Sequence, residues 1–382
     1  MPIHILSTLF TISTEREEKI HEIHCKYATK PETRFICNDS VEDRVHRRQF
    51  LTSFVLIWTI VRSKNLSYFK FLFCFTMSIM RVVAITGCDS GLGWALAARS
   101  AREGLVTVAG MYNGVDTKAA ESLRRLCAHP CSLDVTNPDS VAGFRDYVQS
   151  LLNDNPNYKL HAIVNNAGVM TIGDYEWQTQ TMIENTIHVN LMGTMRVVSA
   201  FLPDLRRSAL ENAVPSVPRI INVASHCGLQ PLPGFAAYSA SKAGVLGLTK
   251  ALRLEHRKHG LGVVAFVPGG FVTSSNIIVH QGASGNAMLE KLNDEQKSFY
   301  GKRITTLTNY LQSASSHNTR YDSLKDENII ETFVKALTSE SPKALYKVES
   351  WRYMFYYNLF KLPLPEGVTS WLIKKFLNFP EN

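Results

Sequence analysis

The chain has 382 residues, long for one domain and short for three, and is 45% hydrophobic and 19% charged. Such a chain can bury a sizeable core and is not disordered overall. Its net charge of +8 is spread along the sequence, which argues against a clustered nucleic-acid footprint, and seven irregularly spaced cysteines argue against a disulfide framework.

Residues 1–48 are polar and lack sustained periodicity. Two apolar runs follow, Phe50 to Val61 and Phe71 to Met80, separated by Arg62, Lys64 and Lys70. Each is shorter than the roughly 20 residues a membrane-spanning helix needs. The first 79 residues therefore read either as an extension that touches a membrane or as an appendage the folded domain does not need. Met77 and Met80 stand directly before the first strand signal, so translation from that point is a further reading. A secretory leader would begin with a basic head close to the N-terminus, and none does. His21, His24 and Cys25 have i, i+3 spacing with no third ligand nearby, which does not make a zinc site. Cys127 and Cys131, flanking His129, read as core or surface sulfur. No metal is expected.

From residue 81 strands and helices alternate. Arg81–Thr86 is a β-branched run, hence a buried strand, and a helix from Trp94 to Glu103 is stopped by Gly104. Val106–Ala109 is a second strand and Thr117–Cys127 a second helix. A third strand ends over Ser132–Val135, and Asn137-Pro138 opens the next helix as a cap followed by proline. Leu160–Val164, Arg219–Val223 and Val263–Val267 are the fourth, fifth and sixth strands. Long helices over about Thr179–Leu202 and up to His259 lie between them. The alternation predicts an α/β fold, a Rossmann-type doubly wound parallel sheet of about seven strands with helices on both faces. One domain then spans 80–382, with 274–382 as substrate lid and aromatic tail.

Between the first strand and helix lies TGCDSGLG, Thr86 to Gly93. Gly87 permits a tight turn, Gly91 lets backbone approach a pyrophosphate, and Gly93 allows close helix–strand packing. With the features that follow in register, this stretch resembles the short-chain dehydrogenase/reductase family over nearly all of residues 81–275. The resemblance implies a dinucleotide held by Gly87, Asp89, Ser90, Gly91, Leu92 and Gly93. It assigns Asp134 of LDVT to the adenine, and Asn165, Ala167 and Gly168 of NNAG to the cofactor cleft. It assigns Pro268, Gly269 and Thr273 to the loop over the nicotinamide. Asn190, Ser225, Tyr238 and Lys242 match the catalytic tetrad, the last two also contacting cofactor. The helices around Asn190 and Tyr238 are where family members pair, so a homo-oligomer is implied.

Tyr238 and Lys242 are four apart and share a helix face. A free tyrosine titrates near 10, too high for base work at neutral pH. A neighbouring ammonium and a cationic nicotinamide favour the phenolate, so Tyr238 is the expected general acid/base. Lys242 also has donors for the ribose, Ser225 can hold the reacting oxygen, and Asn190 supports a water path from Lys242 as the resemblance implies. VAGMYN, Val108 to Asn113, carries neither the acid that grips ribose hydroxyls nor an arginine for a 2′-phosphate; lack of a basic clamp favours NAD over NADP.

The motifs look like the branch that holds retinol, hydroxysteroid and hydroxybutyrate dehydrogenases. Ile221 to Gly244, Val267 to Ile277 and Ala344 to Phe360 resemble insect short-chain enzymes of ecdysteroid hormone synthesis. The implied substrate is a sterol-derived alcohol or ketone, with a retinoid or short hydroxy acid as the alternative. A dinucleotide-binding scaffold without turnover is the non-enzyme reading, against which the complete tetrad speaks. Ile277, Ile278, Val279, Met288, Leu289 and Leu292 form either a greasy lid or a helix packed on the domain. Arg206 to Pro218 reads as a surface loop. Trp351 to Phe376, rich in aromatics with Arg352, Lys361, Lys374 and Lys375, suits either a membrane surface or a cap on the sheet edge or a dimer. The location implied is cytoplasmic or peripheral on the endoplasmic reticulum membrane.

Overall fold

The computed structural model describes residues 79–211, 216–270, 276–315 and 320–379. The HEIHC stretch, the two apolar runs up to residue 78, Met77 and Thr273 lie outside these residues. The chain divides into two units, Met1–Phe69 and Lys70–Asn382, and the described residues all belong to the second.

Seven parallel strands form one sheet in the order β3-β2-β1-β4-β5-β6-β7. They are β1 Met80–Ile85, β2 Val106–Met111, β3 His129–Ser132, β4 Tyr158–Asn165, β5 Arg219–Val223, β6 Gly262–Val267 and β7 Leu345–Lys347. Side chains alternate between the faces of a strand, and both faces are buried, so continuous apolar runs are required rather than alternation. On one face Val83 and Ile85 of β1 pack with α1 Gly91–Arg102, α2 Lys118–Arg124 and the later helix Glu327–Thr338. On the other, Val82 and Ala84 pack with α3 Pro138–Asp154 through Phe144 and with the helix carrying Phe201. Fully burying one such phenylalanine stabilises by about 1.5–3 kcal/mol.

The long helix expected over Thr179–Leu202 is three pieces: α4 Gln180–Ile187, a π-helical turn His188–Gly193, and α5 Thr194–Leu210. The wide turn re-aims Asn190 inwards, the usual use of a π-bulge. α5 also runs past Leu202 into the stretch expected to be loop, because Leu205, Ser208 and Ala209 find burial there. After β5 come the short α6 His226–Leu229 and α7 Ala236–His256. A 3₁₀ turn then ends at left-handed Gly260, φ 69°, a glycine stop. β3 lies three residues earlier than expected. It is an edge strand without an apolar pattern, and its position is set by pairing, Val108 to His129 and Met111 to Ser132.

The remaining helices are α8 Gln281–Lys291, α9 Asp294–Ser315, α10 Glu327–Thr338, α11 Trp351–Leu359 and α12 Glu366–Leu377. The strand order reverses direction between β1 and β4, and in open α/β sheets ligands bind outside the carboxyl ends of strands at such a switch. A cleft of about 780 Å³ opens there.

Candidate active site

The cleft floor is the glycine loop. Gly87 has φ +70° and a β-carbon on it would sit 2.8 Å from the Cα of Ala167; Gly91 has φ +55°. These left-handed angles keep the loop tight against β4. The N-terminus of α1 follows with no side-chain cap and no acid in its first turn; Gly91 N–H donates to the Tyr321 carbonyl at 2.8 Å, and the positive end of the helix still favours an anion beside it. Gly87, Asp89, Ser90, Gly91, Leu92, Gly93, Asp134, Ala167, Gly168, Pro268 and Gly269 all line this one cleft. The residues fit a dinucleotide: glycines and the positive end of a helix for the phosphates, acids at the two outer positions. Asp89 accepts from the backbone N–H groups of Tyr112 at 2.9 Å and Asn113 at 2.7 Å, which pins its carboxylate at the end of β2. Asp134 accepts from the N–H and hydroxyl of Thr136 at 2.8 and 2.7 Å.

Next along the cleft stand Ser225, at the end of β5, and Tyr238 and Lys242 on α7. Tyr238 is hydrogen-bonded to Ser225, which favours the phenolate, but burial dominates and pushes the phenol up. The Lys242 ammonium lies 5.9 Å from the centre of the Tyr238 ring and donates to the Val223 carbonyl at 2.9 Å. Burial with no carboxylate beside it pushes the lysine down to about 8. In the chain alone, then, the ammonium does not offset desolvation of the phenol, and cationic charge from a bound oxidised nicotinamide is what remains to lower it. Asn190 is fully buried. Its Oδ1 accepts from Val169 N–H at 2.8 Å, and its Nδ2 donates to Val169 O at 2.9 Å and Ser241 Oγ at 3.0 Å. It thus clamps the chain leaving β4, and Gly168 is confined between Asn190 and Lys242.

The roof comes from the C-terminal segment. Tyr353 and Tyr357 of α11, Phe376 of α12 and Phe379 line the cleft with Tyr310 and Leu311 of α9. Tyr353 and Tyr357 stack at 5.8 Å with planes 7° apart. Arg352 donates to the carbonyls of Phe376 at 2.6 Å and Lys375 at 3.2 Å, tying α11 to the end of α12. His226 supports the roof from below. Its Nε2 is 3.0 Å from Glu349 Oε1 and its ring meets Tyr353 and Tyr357 edge-on at 4.9 and 4.8 Å.

A serine, tyrosine and lysine converging beside a glycine-rich anion cradle, at the mouth of a parallel sheet, make a site for hydride transfer at a carbinol carbon. The sequence pattern described as short chain dehydrogenase matches residues 81–282. The chain belongs to the short-chain dehydrogenase family.

Among relatives of this short-chain dehydrogenase, the mitochondrial D-beta-hydroxybutyrate dehydrogenase of Bos taurus is 29% identical over 278 residues, 70% of this chain and 76% of the bovine one. The 17-beta-hydroxysteroid dehydrogenase type 2 of Homo sapiens is 35% identical over 198 residues, 51% of this chain and 48% of the human one. Retinol dehydrogenase 7 of Mus musculus is 28% identical over 329 residues, 84% of this chain and 96% of the mouse one. A short-chain dehydrogenase structure from Streptomyces avermitilis shares the fold with TM-score 0.56 at 20% identity, over 79% of this chain and 99% of that one. Another, from Burkholderia phymatum in complex with NAD, does so at TM-score 0.54 and 23% identity, over 70% of this chain and 88% of that one.

Two placements differ from expectation. Asn165 does not line the cleft: it donates to Asn222 Oδ1 at 2.8 Å, and Asn222 in turn donates to Thr249 at 2.9 Å, knitting β4 to β5 and α7. As the last residue of β4 it points behind the cleft, and its neighbour Asn166 is the one that lines it. Asn166 donates to the carbonyls of Thr86 at 3.0 Å and Gly87 at 3.1 Å. Of the C-terminal aromatics, expected at a membrane surface, the sheet edge or a dimer, Tyr353, Tyr357 and Phe376 turn into the cleft. Sequence reading missed His226, Glu349 and these three as site residues. The available signal was the place of His226 directly after Ser225.

Proposed function

We propose that this short-chain dehydrogenase uses NAD to interconvert a lipophilic secondary alcohol and its ketone, with a sterol intermediate of ecdysteroid hormone synthesis as the substrate. The observation that carries it is a single cleft holding, in series, a dinucleotide cradle, the Ser225–Tyr238–Lys242 group and an aromatic roof. When bound, the nicotinamide supplies the hydride acceptor. Ser225 Oγ holds the substrate oxygen, Tyr238 Oη takes its proton as the carbon–hydrogen bond breaks, and Lys242 and the buried helix face hold Tyr238 in place. In reduction Tyr238 returns that proton. The aromatic roof excludes water from the reacting carbon. The NAD preference rests on Asp89: among the described residues lining the β2 end of the cleft there are two carboxylates, Asp89 and Asp134, and no cation, which repels a 2′-phosphate.

The roof also carries an outward face. Trp351, Phe355 and Trp371 are 75, 53 and 57% exposed, near Lys374 and Lys375, and this reading places the face against a bilayer from which a lipophilic substrate enters. No helix among the described residues is long and apolar enough to cross a membrane.

The test is turnover of sterol, retinoid and hydroxy-acid substrates with NAD and with NADP, followed by nicotinamide absorbance, in the wild type and Tyr238→Phe. Sterol turnover with NAD that falls about 10²–10⁴-fold in the variant, while NAD binding persists, supports the reading. Undiminished turnover in the variant removes Tyr238 from the chemistry.

A further inference from the structure

We propose that His226 and Tyr357, with Glu349 behind them, form a second recognition point in the cleft, which takes a neutral hydroxyl on the substrate at a carbon other than the reacting one. This rests on reading the cleft as an alcohol dehydrogenase site, and it narrows the substrate class to polyoxygenated lipophiles.

The argument begins with the proton on His226. Glu349 Oε1 lies 3.0 Å from Nε2 and also receives Lys347 at 2.8 Å, so the carboxylate fixes the imidazole proton on Nε2 and leaves Nδ1 as a lone-pair acceptor. Burial of the ring keeps it neutral, against the pull of Glu349. That Nδ1 is buried and meets no hydrogen-bonding partner, and the Tyr357 hydroxyl is buried and unpartnered as well. His226 is 3% and Tyr357 5% exposed, and their rings touch. An unmatched buried polar atom costs about 1–3 kcal/mol, and native structures seldom keep two on touching side chains without a use.

Both residues line the cleft. The proposed hydroxyl donates to Nδ1 and accepts from Tyr357. A ketone lacks the donor that Nδ1 needs. A carboxylate also lacks it and would meet the negative field of Glu349. A hydrocarbon terminus leaves both atoms unpaired, which is how a site built for a hydroxyl rejects an analogue that lacks it. Tyr353 completes the wall, held by its stack on Tyr357 and its edge contact with His226.

The experiment is titration calorimetry of the NAD-loaded protein with a steroid diol oxygenated at both ends of the ring system and with each of the two corresponding mono-ols. Wild type and Tyr357→Phe are compared; the variant removes one oxygen from a ring whose packing stays. The expected result is binding of the diol about ten-fold tighter than either mono-ol in the wild type, the worth of roughly one well-placed hydrogen bond. In Tyr357→Phe the preference over the mono-ol that keeps only the reacting hydroxyl falls to about two-fold or less. Equal binding by the wild type, no binding of any of the three, or an unchanged preference in a variant with raised Tm would each overturn the inference, the last showing the unpaired hydroxyl to be only a packing defect. Nicotinamide absorbance separates the two readings. Diol preference in binding without turnover sinks the proposed activity alone, and turnover without diol preference sinks the recognition point alone.

Discussion

Gly270, just after β6, and Tyr353, on α11 near the C-terminus, are pressed so closely that a β-carbon on Gly270 would run into Cε2, Cζ and Oη of the tyrosine ring. The loop assigned to the nicotinamide and the roof over the substrate therefore meet at one contact that only glycine permits. Gly270→Ala is expected to displace Tyr353 and raise KM for a lipophilic alcohol about ten-fold, with little change in the Kd for NAD. In Gly270→Ala/Tyr353→Ala the alanine no longer has a ring to displace, so the double variant resembles Tyr353→Ala alone. A double-mutant cycle in KM checks this, and strict additivity would deny the coupling.

Lys242 gives a pH dependence of stability whose sign can be worked out. Burial lowers it to about 8 from the ordinary 10.5, so between those values the unfolded chain holds a proton that the folded chain has released. Stability then rises with pH across that window. The cost of the buried charge is fully present below about 8. Urea denaturation of the protein without cofactor, at about pH 7 and about pH 9.5, is expected to show wild type gaining on Lys242→Met. Tyr238 acts in the opposite sense only above 10, because its folded value is raised. A constant difference between the two proteins would refute the assignment.

Arg219 is fully buried and donates to three carbonyls, Val217 at 2.9 Å, Ala336 at 2.9 Å and Ser339 at 2.7 Å. Two of these belong to the end of α10, so the guanidinium caps that helix and locks it onto β5. Arg219→Met is expected to cost about 3 kcal/mol in urea denaturation, because it leaves buried carbonyls unpaired. A loss under about 0.5 kcal/mol, the range of an ordinary surface substitution, would show that water replaces the guanidinium.

Asp89 is the residue on which cofactor choice turns. Asp89→Asn removes the charge and keeps an oxygen to accept from Tyr112 or Asn113. The ratio of kcat/KM for NADP to that for NAD is expected to rise about ten-fold, equivalent to about 1.4 kcal/mol. Steady-state kinetics with both cofactors measure it, and an unchanged ratio would move the determinant elsewhere.

The sheet was legible because a doubly covered strand must be an unbroken apolar run, and Arg81–Thr86, Leu160–Val164 and Val263–Val267 are such runs. The edge strand β3 was misplaced, since His129 to Ser132 carries no such signal and is positioned by its pairing with β2. The π-helical turn at Asn190 was invisible to a helical period that passes through it undisturbed. The glycine loop and the Tyr238–Lys242 spacing were legible because their chemistry is local. Asn165 was misassigned because adjacent residues at a strand's end face opposite ways, and only the register with Asn222 shows which one turns inwards.

By itself the sequence determined an α/β chain with a phosphate loop and a tyrosine base, because those depend on short-range spacing and on β-branched runs. It left the C-terminal aromatics open between a membrane surface, a sheet edge and a dimer, since amphipathic spacing records that a face is apolar and not what it meets. Tertiary structure decided that Tyr353, Tyr357 and Phe376 turn inwards while Trp351, Phe355 and Trp371 stay out. The same folding brought Glu349 to His226, a contact between distant parts of the chain that no local pattern encodes.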